Sequence, residues 1–236
     1  APEGGAHQSV STPLIGIGQP GLTYFEPAYI DELAIIMRWS FEYMQLPKGG
    51  SVYLRLSTRP IDQLSRDMGT DLSKQIITGA YWNKVPEPGA ELAIVYCGAV
   101  APEAQAAYEE LSEDVPGLGL LSITSPDRLH ADWLDAKRAR RRERPEALAE
   151  IEQILQILMP DAALVTVIDG HPATLSWLGA VNGHRVYPLG VETFGQSGDI
   201  NDLYKHYGLD TEAILEAAAR ACLRRFSASG HVPRAA

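Results

Sequence analysis

The stretch that decides the fold reads Ala162-Ala163-Leu164-Val165-Thr166-Val167-Ile168-Asp169-Gly170-His171-Pro172. Seven uncharged residues, four of them β-branched, run straight into a turn. That is the pattern of a strand covered on both faces, because a half-solvated strand would alternate apolar with polar. Pro172 then suits the first turn of a helix over 172–181. Working outward, short apolar runs at 91–96, 119–124 and 185–191 read as further strands. Helical patterns at 102–112, 126–136, 145–158, 200–207 and 211–226 fall between or after them. Strands that alternate with helices predict an α/β fold with a mostly parallel sheet flanked by helices. Asp169-Gly170 and Gly190 follow strands, where such folds place their ligand-facing loops.

Towards the amino terminus a helix is predicted over 27–45. Pro27 suits its start, Asp31 and Glu32 complement its dipole, and Ile30, Leu33, Ala34, Met37, Phe41 and Met44 recur at three- and four-residue spacing. Lys48-Gly49-Gly50 ends it. Ser51-Val52-Tyr53-Leu54-Arg55-Leu56-Ser57-Thr58 alternates as a strand does. Residues 60–90 have weak periodicity and carry Pro86-Glu87-Pro88-Gly89, so an interdomain connection is expected there. Residues 227–236 read as a frayed tail.

Composition limits the partners. The 236 residues are 45 % hydrophobic and 21 % charged, as in a soluble globular protein. The net charge of -10 and pI near 5.0 disfavour nucleic acid and anionic membranes, which require basic surfaces. No run is long and apolar enough to cross a membrane and no signal pattern opens the chain, so a cytoplasmic location is expected. Cys97 and Cys222 sit in apolar stretches and read as buried thiols rather than a disulfide or metal pair.

Four stretches could carry chemistry. In Gly4-Gly5-Ala6-His7-Gln8-Ser9, glycines permit close backbone approach to a ligand, and a neighbouring histidine can donate to a developing oxyanion; alone, such a histidine is an ordinary surface residue. Phe194-Gly195-Gln196-Ser197-Gly198-Asp199 lacks the lysine of a P-loop and reads as a turn in which Ser197 or Asp199 caps a helix. Asp169 and His171 read as parts of a strand-to-helix turn, with no second donor at zinc-like spacing; no metal site is expected, and His184 and His206 read as exposed helix-end residues. The basic run at 137–144 reads as a solvated helix face, since no aromatics interleave.

Three blocks, taken in order, resemble the thiamine-diphosphate-dependent, transketolase-like superfamily. Glu3-Gly4-Gly5-Ala6-His7-Gln8-Ser9 is similar to its Asp-Gly-x-x-His-Gln motif. Leu22-Thr23-Tyr24-Phe25-Glu26-Pro27-Ala28-Tyr29, followed by Glu32-Leu33-Ala34-Ile35-Ile36-Met37, resembles the decarboxylating component of homodimeric pyruvate dehydrogenases. Leu189-Gly190 to Phe194-Gly195-Gln196-Ser197, with the helix after it, is similar to the Leu-Gly-x-x-x-Phe-Gly-x-Ser segment. The resemblance implies that residues 1–85 are the latter part of a pyrimidine-binding domain and 90–236 a transketolase C-terminal-like domain.

It also implies a function. The complete enzyme would decarboxylate pyruvate or another 2-oxoacid and pass the acyl unit to a lipoyl group on a partner acyltransferase. Thiamine diphosphate and magnesium would be bound mainly by an N-terminal part of the same enzyme that this chain lacks, in a homodimer, leaving the chain inactive alone. His7 would be the catalytic residue, donating to the oxygen that becomes anionic as pyruvate adds, with Gly4 and Gly5 beside the cofactor. Glu3 stands where the motif has aspartate and Gly5 where it has a second histidine, so a different 2-oxoacid is admissible. A transketolase or other thiamine-diphosphate enzyme is the alternative. Its sugar-phosphate substrates would call on arginines such as Arg55 and Arg59. A non-catalytic dimerisation module is a further one.

Overall fold

The computed structural model describes residues 9–142 and 144–228. Two β-sheets organise it. The smaller pairs β1 (Leu22–Phe25) with β2 (Ser51–Leu54), in parallel. The larger has five strands, β3 (Ala80–Lys84), β4 (Ala90–Cys97), β5 (Gly119–Ile123), β6 (Leu158–Ile168) and β7 (Arg185–Leu189), in the order β3-β5-β4-β6-β7. All of its pairings are parallel except β3 with β5. The helices are α1 (Thr12–Gly18), α2 (Ile30–Met44), α3 (Thr70–Thr78), α4 (Ala101–Leu111), α5 (Pro126–Arg142), α6 (Glu150–Leu155), α7 (Ala173–Ser176), α8 (Ile200–Tyr207) and α9 (Thr211–Ala228).

The expected α/β architecture, with a mostly parallel sheet flanked by helices, is observed, and alternation within the buried strands explains it. On β4, Leu92, Ile94 and Tyr96 point into a core shared with α4 and α9. Ala93, Val95 and Cys97 point into a second core roofed by α5 and α6. β6 divides likewise, with Val165 and Val167 on one face and Leu164 and Ile168 on the other. Both faces are apolar because both are covered.

Several expectations are corrected. The interval expected to be a connection carries α3 and β3, and β3 joins the five-stranded sheet as an antiparallel edge strand. The helix over 145–158 contracts to α6, and its last residue, Leu158, opens the long β6; α5 in turn runs on to Arg142. Strand β2 ends at Leu54, leaving 55–58 as loop. α2 forms where expected, but the apolar stripe that marks it in the sequence is not its buried face. Glu32, Ile36 and Ser40 are buried, against a core built from Phe25, Ile76 and Tyr81. His184 is buried, not exposed, and burial holds its pKa below the usual imidazole value. Cys97 is fully buried as expected, while Cys222 is only partly so.

The small sheet is bound to the large one through the loop after β5. The Tyr24 amide donates to Asp127 Oδ2 at 2.9 Å, and the Glu26 amide donates to the Thr124 carbonyl at 2.8 Å. The Ser125 hydroxyl lies 2.6 Å from the Tyr24 carbonyl and 2.7 Å from Asp127 Oδ1. Asp127→Ala strands the buried Tyr24 amide at this joint, while the Ser125 hydroxyl keeps the Tyr24 carbonyl. It is expected to lower stability by about 3 kcal/mol, read from the urea midpoint of unfolding.

Candidate functional site

In both sheets the parallel strands end at the same place. The last ladder pairs are Phe25 with Leu54 in the small sheet and Cys97 with Ile168 in the large one. The residues immediately beyond are Glu26 and Arg55, and Gly98 and Asp169. Glu26, Arg55 and Asp169 line a cleft of about 560 Å³, with Gly98 beneath Glu26. In the large sheet this is also the topological switch point. The chain leaves β4 through α4 towards β5, and leaves β6 through α7 towards β7, in opposite directions. Open α/β sheets place ligands in such crevices, outside the carboxyl ends of the strands.

The cleft floor is a charged network. The Arg55 guanidinium donates through Nη1 to Glu26 Oε1 and through Nη2 to the Asp169 carbonyl, so one side chain bridges the two sheets. The Tyr24 hydroxyl donates to the other Glu26 oxygen. Glu26 rests over Gly98, whose φ of +68° and missing side chain make room for it; a Cβ there would lie 2.5 Å from Glu26 Cγ. Asp169 Oδ2 accepts from the Tyr204 hydroxyl at 3.1 Å. Arg59 forms a two-pronged pair with Glu103 at 2.8 and 2.6 Å, donates to the Ala99 carbonyl at 3.1 Å, and stacks over the Tyr204 ring.

Burial pushes the Glu26 carboxyl up to about 7, against the lowering pull of Arg55 and with a smaller push from Asp169. A buried carboxyl that titrates near neutrality in a cleft can accept or release a proton under physiological conditions, as an acid–base group must. Cys97, beside it at the end of β4, is held as a neutral thiol, its pKa raised by burial and then by the charge of Glu26.

The sequence candidates divide. Gly4, Gly5 and His7 lie outside the described residues; Ser9 and Val10, among the first described, line the cleft. Asp169 and Gly170 line it too, as their place after β6 led one to expect. His171 instead accepts the Ala173 amide at 3.2 Å and shapes the start of α7. The 194–199 loop does not line the cleft, and Asp199 stands at the N-cap of α8 without a side-chain cap bond. His206 is exposed and stacks edge-on against Tyr207. Within the basic run, Arg140 pairs with Glu152, Arg138 with Asp135, and Lys137 lies over Trp133, as on a helix surface. Among the described residues no three His, Cys, Asp or Glu side chains converge as metal ligands. No described helix is long and apolar enough to cross a membrane. Reading by motif missed Glu26 and Tyr204 as site residues. The available signal was a lone carboxylate directly after the strand residues Tyr24-Phe25.

Residues 79–210 match the family model described as the transketolase-like TK C-terminal domain. A 1-deoxy-D-xylulose-5-phosphate synthase from Clostridium tetani is 22 % identical over 227 residues, 91 % of this chain but 31 % of that protein. Transketolase from Leishmania mexicana is similar in structure, with a TM-score of 0.69 at 19 % identity, covering 94 % of this chain and 28 % of that one. A split-gene transketolase, described as an inactive beta4 tetramer, has a TM-score of 0.63 at 19 % identity, covering 91 % of this chain and 62 % of that one. The chain thus spans about a third of the curated relative it matches.

A raised carboxyl pKa has a definite sign. Unfolded, Glu26 would titrate near 4.3; folded, near 7. The folded state therefore binds the extra proton between these values, and the group's contribution to stability is lost as pH rises through that window. Glu26→Gln should flatten the slope of unfolding free energy against pH between roughly 4.5 and 7, by up to about 1.4 kcal/mol per pH unit. An unchanged slope in a urea series would remove Glu26 as the titrating group.

Proposed function

The chain belongs to the family of transketolase-like C-terminal domains, and on that premise we propose that it supplies the carboxyl-terminal part of a thiamine-diphosphate-dependent 2-oxoacid dehydrogenase. The type would be that of the homodimeric pyruvate dehydrogenases. The segment before β3 would complete a pyrimidine-binding domain, and the residues from β3 onward would form the C-terminal domain, a boundary a few residues earlier than the expected one at 85.

The observation that carries this reading over a sugar-phosphate enzyme is the state of the two cleft arginines. A phosphorylated substrate needs a cation it can pair with. Arg55 is held by Glu26 and the Asp169 carbonyl, and Arg59 by both oxygens of Glu103. Drawing either arginine away would leave a mostly buried carboxylate uncompensated, at a cost of several kcal/mol. A small 2-oxoacid makes no such demand. The Tyr24-Phe25-Glu26-Pro27-Ala28-Tyr29 block supports the same reading.

Thiamine diphosphate, when bound, supplies the nucleophilic carbon for the keto group and the electron sink for loss of carbon dioxide. The described residues offer no converging donors for the magnesium, so cation and diphosphate would be gripped by the N-terminal part of the enzyme. This chain's contribution is the histidine loop: His7 would donate a hydrogen bond to the substrate oxygen as it becomes anionic, with Gly4 and Gly5 letting the backbone approach. Ser9 and Val10 at the cleft support that placement. The Glu26–Arg55 pair would hold the two sheets at the separation the loop requires. The acyl unit would pass to a lipoyl-bearing acyltransferase. Copies of the enzyme would associate, as those of the split-gene transketolase do in its inactive beta4 tetramer.

A second reading, transfer of two-carbon units among sugar phosphates, is favoured by the names of the curated relative and the structural neighbours. Acceptor assays with the complete enzyme separate the two. We expect pyruvate-dependent acylation of a lipoyl domain and no turnover of aldose phosphates; the reverse result establishes the second reading. In that enzyme, His7→Ala should lower turnover about 10- to 1,000-fold, the range for loss of an oxyanion donor. The 236-residue chain alone should give no calorimetric signal with thiamine diphosphate and magnesium, and tight binding there would place the cofactor site within it.

A further inference from the structure

The chain concentrates its positive charge in one place. Six of its 20 Lys and Arg residues fall between Lys137 and Arg144, and the remainder of the chain, with 14 Lys and Arg against 29 Asp and Glu, carries -15. Five of the six stand in the last two turns of α5. The carboxyl end of a helix favours cations, but its effective charge is about -0.5, which one cation offsets. Two of the six have carboxylate partners. Arg140 holds Glu152 by bonds of 2.7 and 2.8 Å, and Arg138 holds Asp135 at 2.6 Å in a pair that is 61 % and 72 % exposed. Lys137 lies 4.0 Å from the centre of the Trp133 ring and keeps its charge. Arg141, Arg142 and Arg144 have no ion-pair partner among the described residues. Lys137 stands three and four residues from Arg140 and Arg141, and Arg138 likewise from Arg141 and Arg142, so successive turns repel each other.

These cations surround a hollow. Arg144 turns back past the helix end, its amide donating to the Ala139 carbonyl at 3.1 Å, and joins Arg138 and Arg142 around a depression of about 490 Å³. Arg140 donates to the Ala147 carbonyl at 2.7 Å and so holds the following segment to the helix, where Leu148 is 59 % exposed. Arg138 and Arg142 are about 6 Å apart along the axis, as are Lys137 and Arg141. Carboxylates four residues apart on another helix, or two apart on a strand, have nearly the same separation. We propose that the carboxyl end of α5 is a docking surface for an acidic segment of a partner protein, with carboxylates on Arg138, Arg141, Arg142 and Arg144 and an apolar side chain on Leu148. Nucleic acid fits less well. Its charged backbone would run on from the patch over a chain at -15, and no aromatic residue lines the depression to stack a base. α5 starts at Pro126, beside the joint that carries Glu26, and its basic end lies about 24 Å along the helix. A partner held there leaves the cleft open, and the inference stands whichever reaction the complete enzyme performs.

The test is fluorescence anisotropy of a labelled peptide of four Glu-Ala-Leu-Ala repeats, whose glutamates fall four residues apart, titrated with the 236-residue chain. The peptide should bind at about 50 mM salt and lose affinity by about 10-fold or more at about 500 mM, because exposed ion pairs are screened. The triple variant Arg141→Gln, Arg142→Gln, Arg144→Gln should weaken binding by about 10-fold or more, with circular dichroism unchanged, since none of these side chains holds a contact in the fold. The control, Arg220→Gln with Arg224→Gln, neutralises exposed cations on α9, which packs on the opposite face of the sheet, and should bind as the parent does. Absent binding, or binding that salt does not weaken, overturns the proposal without recourse to any variant. Equal loss in the α9 control overturns it too. So does affinity for duplex DNA or phosphatidylglycerol vesicles that matches the peptide's and falls in the triple variant, which would assign the patch to nucleic acid or to a membrane.

Discussion

Two sheets meet here with the carboxyl ends of their parallel strands together, and beyond the joint made by the loop after β5 one side chain spans the gap between those ends. Arg55 leaves the end of β2, pairs with Glu26 at the end of β1, and reaches the carbonyl of Asp169 at the end of β6. A guanidinium suits the task because its donors are fixed in a plane and cannot be deprotonated. Gly98 is the other half of the arrangement, since only a residue without a side chain lets the Glu26 carboxyl settle onto the end of β4.

The acids buried around this junction share the cost of being out of water. Asp127 satisfies the amide of Tyr24 and is pushed up to about 6 by burial. Glu32 accepts the amides of Ala28 and Tyr29 at 2.7 and 3.0 Å and the Tyr81 hydroxyl at 2.5 Å, with Arg66 at 3.5 Å. Tyr81 lies on β3 of the large sheet, while Glu32 begins α2 beside the small one. Polar groups therefore register the two sheets, where an apolar contact would permit sliding.

The large sheet was legible because its central strands are covered on both faces, and 162–168 has no charged residue and only Thr166 as a polar one. The small sheet was harder. β1 has four residues, too few for a period to show, and β3 contains Asn83 and Lys84 because it lies at an edge. α2 was legible as a helix and misleading as a face: its best apolar stripe points outward, and its buried side includes a glutamate and a serine whose partners lie far off in sequence. The cleft shows the same limitation. Glu26, Arg55, Asp169 and Tyr204 span nearly 180 positions, and no local spacing links them. His184 read as an exposed helix-end residue because the strand beside it gave no sign of the cover above.

The edge strand β3 has a consequence for how the chain is made. It precedes β4 in sequence yet pairs only with β5, some 40 residues later. On a ribosome adding about 5–20 residues per second, the strand must wait roughly 2–8 s for its neighbour to emerge. Through that interval Tyr81 and Trp82 have no sheet to join. The segment before β4 is thus committed to its place only after the β4-α4-β5 unit has closed, although it is translated before that unit.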